Sequence, residues 1–435
     1  MRPLRLAFRF VLIAWVIGLA VARYVWRRLG AGRLDRAGRE RLRGEVAAET
    51  LERLGATFVK FGQILSTRPD LLGPGYVNAL ARLQDRVPPA PFAEVEAVLA
   101  AELDPAARAG LAEIDPEPIA AASVAQVHRA RTTGGEHIAL KVQRADAEVQ
   151  IERDLALMSL GARVLDLVPT VKLLSLPGAV ERFAEAMHGQ LDFRREADNN
   201  RRFARNFASV DGIGVPRLYE PLCTRRVLAM ELVDGVRATE PEKVGGDRVR
   251  LARLGGEAIL KMVFTDAFVH ADLHPGNILL TRDDRVVLLD LGLVAEIPAD
   301  VLRPWCETFM AIAQRDGRTV ARLFYAYAPT VRTPDYPAYE REVVAFFAAL
   351  YGKTIGEVEA SVVIAGAMAI LRRHRVQIDP VFTVVNIAML VAEGLGKQLD
   401  PALDLVALAF PYLVRALADA PPGKPPLRAP PEART

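Results

Sequence analysis

At 435 residues the chain is long enough to bury one large two-lobed core or two smaller ones. Its 56 Lys and Arg against 53 Asp and Glu leave no global excess of positive charge, which argues against a nucleic-acid partner. Cys223 and Cys306 flank no CxxC and form no zinc pattern, so they read as ordinary thiols of a reducing compartment. The N-terminus is unusual: Arg2, Arg5 and Arg9 precede the apolar run FVLIAWVIGLAVA, Phe10 to Ala22, and Arg23, Arg27 and Arg28 close it with Tyr24 and Trp26 interleaved. That run falls short of the roughly 20 residues that span a bilayer. A signal peptide competes, because Ala20, Val21 and Ala22 resemble a cleavage site, and so do a spanning anchor and a helix packed on protein. The reading adopted for residues 1–32 is a helix at the membrane interface with arginine heads on anionic lipid. Leu42, Val46, Leu51 and Leu54 then recur at helical spacing, leading into ATFVKFGQIL, where Lys60, Gly62 and Gln63 sit at an expected helix end or bend.

Ser123 to Arg131 and Glu136 to Val142 alternate as two strands around Thr132, Thr133, Gly134 and Gly135, a hairpin signal. Lys141 ends the second strand in an A-L-K-V context that matches the V-A-I-K strand of kinases. Where a kinase carries a glycine-rich loop over the phosphates, this chain has Ala120, Ala121, Ala122 and Ser123, which lack glycine's positive-φ freedom and set a methyl against close backbone approach. Helical pattern covers Val149 to Leu167 and Leu176 to Asn206; the second stretch carries Glu196, the candidate ion-pair partner that would aim Lys141 at the α- and β-phosphates. A strand ending at Met230 to Val233 predicts a hinge that presents Glu231 and Val233 backbone groups to adenine.

After an amphipathic helix, Arg248 to Phe264, comes the stretch FVHADLHPGNILLTRDDRVVLLDLGL. Asp272 precedes Asn277 by five residues, and an apolar strand then delivers Asp290. A carboxylate beside the nucleophile, followed by an amide and a second carboxylate for divalent ions, is the skeleton of a phosphoryl-transfer site. His270 and His274 flank Asp272, but the Asn277 and Asp290 spacings favour magnesium and phosphate over a His-Asp-His metal site. From Pro298 onward the pattern is helical without an 18-residue apolar run, and the tail PPGKPPLRAPPEART reads as disordered.

Taken in order, Lys60-Phe61-Gly62-Gln63, the AAAS segment, Lys141, Glu196, HADLHPGN and DLG resemble the UbiB/AarF/ADCK family of atypical kinases over roughly residues 35 to 410. The resemblance implies an α+β, two-lobed protein-kinase-like fold: a membrane-associating helix (1–32), a helical K-x-G-Q extension (33–115), an N-lobe (116–235), a helical C-lobe (236–420) and a tail (421–435). It implies ATP (or ADP) and Mg²⁺ as cofactors, ATPase activity in preference to protein phosphorylation, and support of ubiquinone or other isoprenoid-lipid synthesis at the cytoplasmic face of the membrane. Membrane lipids, quinone or isoprenoid precursors and a lipid-biosynthesis complex are the expected partners, with no nucleic acid. By position, Asp272, Lys141 and Glu196 are catalytic and Asn277 and Asp290 bind metal. The AAAS segment, Lys141, Glu231 and Val233 hold nucleotide, while Lys60 and Gln63 reach in from the extension. Where the family has E-x-D this chain reads Gln190, Leu191, Asp192, so a neutral amide replaces the glutamate that neutralises Lys60, and Asp192 is the residue expected to take over. Ala271 replaces the arginine of H-R-D and no A-P-E follows Asp290, which removes control by activation-loop phosphorylation. The rival readings are a nucleotide-gated lipid-binding scaffold and a phosphotransferase acting on a small molecule or protein.

Overall fold

The computed structural model describes residues 2–66, 72–83, 87–167, 176–333, 335–349, 360–419, 421, 423 and 425–429. They form two compact units, one from residues 1–66, 72–201 and 216–232 and the other chiefly from 202–215 and 233–435.

The first unit opens with a continuous helix, α1 (Arg2–Gly30), so the arginine flanks extend the apolar run instead of ending it. Its stretch Leu6–Gly30 is long and apolar enough, by length and composition, to cross a membrane, which corrects the count made on the apolar run alone. One face is docked on protein: Val16 packs with Leu54 and Phe58, and Arg9 is buried. The arginines expected on lipid are engaged internally, Arg9 with Asp154 at 2.7 Å, Arg23 with Glu49 at 2.8 Å and Arg27 with Glu49 at 2.7 Å. The opposite face exposes Phe10, Trp15, Val21, Val25, Trp26 and Leu29.

Helix α2 (Arg36–Leu54), capped by Asp35, breaks at Gly55 with φ 99°, and α3 (Ala56–Ser66) follows. Helix α4 (Pro74–Leu80) crosses α2 so closely that a Cβ on Gly44 would overlap the Gly75 carbonyl. Backbone cannot yield as a side-chain tip can, so Gly44→Ala is expected to cost about 1–3 kcal/mol and to raise hydrogen exchange in α2 and α4; unchanged protection there would refute the close crossing. Helices α5 (Phe92–Glu102) and α6 (Pro105–Ala109) lead to an antiparallel sheet of β1 (Leu111–Ala121), β2 (Ala125–Thr132), β3 (His137–Gln143) and β4 (Val227–Glu231), in that order. Val95, Val98 and Leu99 of α5 share a core with Ile138 and Leu140, so the segment from 92 belongs with the sheet and not with an extension ending at 115. Strand β1 escapes sequence reading because it carries Pro116 and Pro118, tolerated here on an edge strand with an irregular register.

Helix α7 (Ala147–Asp166) is followed by α8 (Leu176–Gln190) and α9 (Phe193–Phe207), not by one helix through to Asn206. In the second unit α10 (Arg248–Phe264) is almost wholly buried, and short strands β5 (Phe268–His270), β6 (Ile278–Leu280), β7 (Val286–Leu288) and β8 (Val294–Glu296) lie beside it in the core. Helices α11 (Ala299–Ala313), α12 (Gly317–Tyr327), α13 (Tyr336–Ala348), α14 (Ala360–Arg373), α15 (Pro380–Leu399) and α16 (Leu405–Asp419) complete the unit. The tail, expected to be disordered, is partly docked: Leu427 N–H donates to Ala326 O at 2.9 Å and Arg428 to Ala328 O at 2.8 Å. A guanidinium on the last carbonyls of α12 is a favourable cap for a helix C-terminus.

Candidate active site

In the first unit, Lys141 stands in the third strand opposite Val127 and Leu228. Its Nζ donates to both Glu196 oxygens, at 2.9 and 2.8 Å, and lies 5.3 Å from the centre of the Phe193 ring. Glu196 sits in the first turn of α9, where the helix dipole favours a carboxylate, and its side chain is 7% exposed. Two residues after Lys141, Gln143 donates to Leu191 O at 2.8 Å, and Phe193 N–H donates to Arg225 O at 2.9 Å. These bonds pin the α8–α9 break against β3 and β4, so the start of α9 has one position relative to Lys141. A buried pair returns little net stability after desolvation; what this one supplies is a fixed ammonium.

The AAAS segment forms the corner between β1 and β2. Ala120 and Ala121 end β1, and Ala122 N–H closes the turn on Ala125 O at 2.8 Å. None of Ala120 to Ser123 takes a positive φ, so the corner needs no glycine. At the end of β4, Glu231 N–H donates to Arg217 O at 2.8 Å, and Val233 begins the second unit.

Lys60, Gly62 and Gln63 lie inside α3, not at its end; the bend is at Gly55. Lys60 is buried, and Gln63 donates to Leu83 O at 3.1 Å. A Cβ on Gly62 would overlap Leu51 and Leu83, so this glycine allows α3 to pack closely. Gln190 ends α8, and Asp192 lies in the break before α9. Asp192 does not replace the missing glutamate: Arg194 holds it at 2.9 and 2.7 Å, and those bonds keep its carboxyl below the usual range.

In the second unit, β5 pairs antiparallel with β8 and β6 with β7, which puts Asp272 just after β5 and Asp290 between β7 and β8. His270 braces the two loops. Its Nδ1 accepts from Asp272 N–H at 3.2 Å, which assigns the proton to Nε2, and Nε2 donates to Leu289 O at 3.0 Å. Burial pushes this imidazole below its ordinary pKa, so it stays neutral and keeps that tautomer. The sequence reading weighed His270 only as a metal ligand; both ring nitrogens are spent on backbone, and His274 Nδ1 accepts from Gly276 N–H at 3.0 Å. The signal was present in the spacing, a histidine two residues before Asp272.

Asn277 Nδ2 donates to Asp272 O at 3.1 Å, leaving its carbonyl oxygen as the acceptor, and Leu289 N–H donates to Asn277 O at 2.8 Å. Asp290 has φ 53°, a left-handed conformation that Asp tolerates better than most residues. One carboxylate and one amide oxygen suit Mg²⁺, a hard cation that completes its octahedron with water and phosphate oxygens. No group of three or more His, Cys, Asp or Glu side chains able to hold a metal occurs among the described residues.

A four-stranded sheet with a Lys–Glu pair in one unit, and an H-x-D loop with following Asn and Asp in the other, define a protein-kinase-like protein of α+β class. Comparison with known families agrees: the ABC1 atypical kinase-like domain matches residues 82–324 and the UbiB helical domain residues 343–404. The chain belongs to the UbiB family of ABC1 atypical kinases. It is 34% identical over 394 residues to the "Probable protein kinase UbiB" of Shewanella halifaxensis, covering 88% of this chain and 71% of that one. The protein of the same name from Shewanella pealeana is 33% identical with the same coverage. A solved complex of Rv3197 with erythromycin from Mycobacterium tuberculosis is 23% identical, with a TM-score of 0.49, covering 78% of this chain and 91% of that one.

Proposed function

We propose that the chain binds Mg²⁺-ATP and hydrolyses it, or transfers its γ-phosphoryl group to a small or lipid-linked acceptor, at the cytoplasmic face of a membrane in support of ubiquinone or other isoprenoid-lipid synthesis. The observation that carries this reading is the Lys141–Glu196 pair, whose two bonds hold the ammonium ready for the α- and β-phosphates. Asn277 and Asp290 would hold Mg²⁺, which when bound neutralises phosphate charge. Asp272 takes the proton of the attacking hydroxyl or water, and Glu231 and Val233 offer backbone groups to adenine. Such catalysis is positioning and charge neutralisation throughout. The relatives' name supports phosphoryl transfer, and the protein's lipid partners, including quinone or isoprenoid precursors and a lipid-biosynthesis complex, follow from the same kinship.

The exposed apolar face of α1 supports the membrane arm. A helix held on protein along one face presents the other to lipid, which favours a helix lying on the bilayer over one crossing it. The test is phosphate release from Mg²⁺-ATP by the purified full-length protein, with and without anionic liposomes. Turnover is expected to rise with lipid and to fall about a hundredfold or more in Lys141→Met, as for loss of one electrostatic contact to the transition state; the bound protein should leave the liposomes in alkaline carbonate. Tight nucleotide binding without turnover under any lipid condition would instead leave a nucleotide-gated lipid-binding scaffold, a reading that the alanine corner favours.

A further inference from the structure

The second unit contains a cavity of about 130 Å³ enclosed by α11, α12, α14, α15 and α16. Its wall is apolar, with Phe309, Ala367, Met389 and Ala409 among the lining residues, and no carboxylate lines it. Two polar groups interrupt that wall. Asn386 is only 8% exposed, and its carboxamide has no hydrogen-bond partner among the described residues. Trp305 is 3% exposed, and its Nε1–H is likewise buried without a partner. The indole cannot turn to find one. It is stacked on Phe382 with centroids 4.2 Å apart and meets Phe309 edge-on at 4.6 Å.

Buried polar groups are nearly always bonded, because an orphaned donor or amide in an apolar setting keeps its full desolvation cost. Two such groups on one apolar cavity point to a ligand that answers them. Size narrows its class, since an apolar cavity of about 150 Å³ takes a benzene ring. Charge narrows it further: without a carboxylate in the wall, a cation is not accommodated. The open bonds call for oxygen, because Trp305 can only donate and an amide both donates and accepts.

We propose that this cavity is a binding site for a neutral six-membered ring bearing oxygen, a phenol or a quinone, whose ring fills the apolar space and whose oxygen takes up bonds left open at Asn386 and Trp305. The assignment rests on the lipid arm of the proposed function and on none of its nucleotide chemistry. It is therefore tested without nucleotide: loss of ATP turnover leaves it standing, and its own failure leaves the ATPase reading standing.

The experiment is calorimetric titration of the full-length chain with 4-ethylphenol and with ethylbenzene, which lacks the oxygen. Saturable one-to-one binding of the phenol is expected, with ethylbenzene bound about five- to tenfold more weakly, the worth of one neutral hydrogen bond. Asn386→Leu removes an orphaned amide and should fold; it is expected to erase most of that preference while ethylbenzene still binds. Ala409→Leu fills the cavity and should abolish both titrations with an undiminished melting temperature. Absence of saturable phenol binding to the native protein, or equal binding by Ala409→Leu, would overturn the site. A phenol preference unchanged in Asn386→Leu would overturn the role given to its amide.

Discussion

Asp290→Asn is expected to abolish Mg²⁺-dependent nucleotide binding, whereas Asp272→Asn should leave binding intact and stop turnover. The two carboxylates stand in loops tied to one another through His270, yet their environments differ. Asp290 holds φ 53°, and Asn tolerates that conformation about as well, so the substitution removes a charge without straining the backbone. The metal then loses its only anionic ligand in the assigned pair, and a hard divalent ion left with amide oxygens and water is held weakly. Asp272 follows β5 directly, its N–H is fixed by His270 Nδ1, and its carbonyl oxygen accepts from Asn277. Its backbone bonds survive amidation, so what is lost is the proton acceptor, a contribution of about 10²–10⁴ in rate. Calorimetry with Mg²⁺-ATP, repeated in excess chelator, and single-turnover phosphate release check the pair. Equal losses of affinity in both variants would sink the division of roles.

Much of this site was legible because spacing carries its chemistry. Asp272, Asn277 and Asp290 lie along one continuous stretch of chain, and local sequence sets their loops. The Lys141–Glu196 pair was inferred from residue types and lies 55 positions apart. What escaped depends on tertiary bonds. Periodicity runs unbroken from Leu176 to Asn206, but Gln143 on Leu191 O and the Asp192 turn set the break between α8 and α9. That break moves Gln190 off the helix that bears Glu196. The two prolines of β1 masked a strand that only its neighbour β2 stabilises. Arg428 reads as a charge in a proline-rich tail, and its docking depends on the carbonyls at the end of α12. The arginines of α1 misled for the same reason: residue type suggests lipid phosphate, and only the fold supplies Glu49 and Asp154.

Arg9→Met is expected to destabilise the first unit by about 3–5 kcal/mol, the cost of leaving a buried charge uncompensated. Asp154 is 0% exposed in the middle of α7, and Arg9 grips it with Nε at 2.7 Å and Nη2 at 2.8 Å while also capping Leu54 O at 2.5 Å. Remove the guanidinium and the carboxylate keeps its desolvation cost, with Arg153 left at 3.8 Å, too far for a good hydrogen bond. Arg9 also lies over the Phe58 ring at 5.7 Å, so α1, α7 and the K-x-G-Q helix α3 loosen together. Hydrogen exchange of α3 and α7 peptides reads this locally, which matters in a chain of two units where one global unfolding energy is ill defined. The partner variant Asp154→Leu should be costly too, but the double variant Arg9→Met/Asp154→Leu should recover much of the loss, since apolar groups can replace a buried ion pair at little cost. A coupling of about 2 kcal/mol or more is therefore expected between the two sites. Strict additivity would mean that Arg9 acts only through Leu54 and Phe58. Coupling would make Arg9–Asp154 the joint through which whatever holds the outer face of α1 also steadies the helix that carries Lys60.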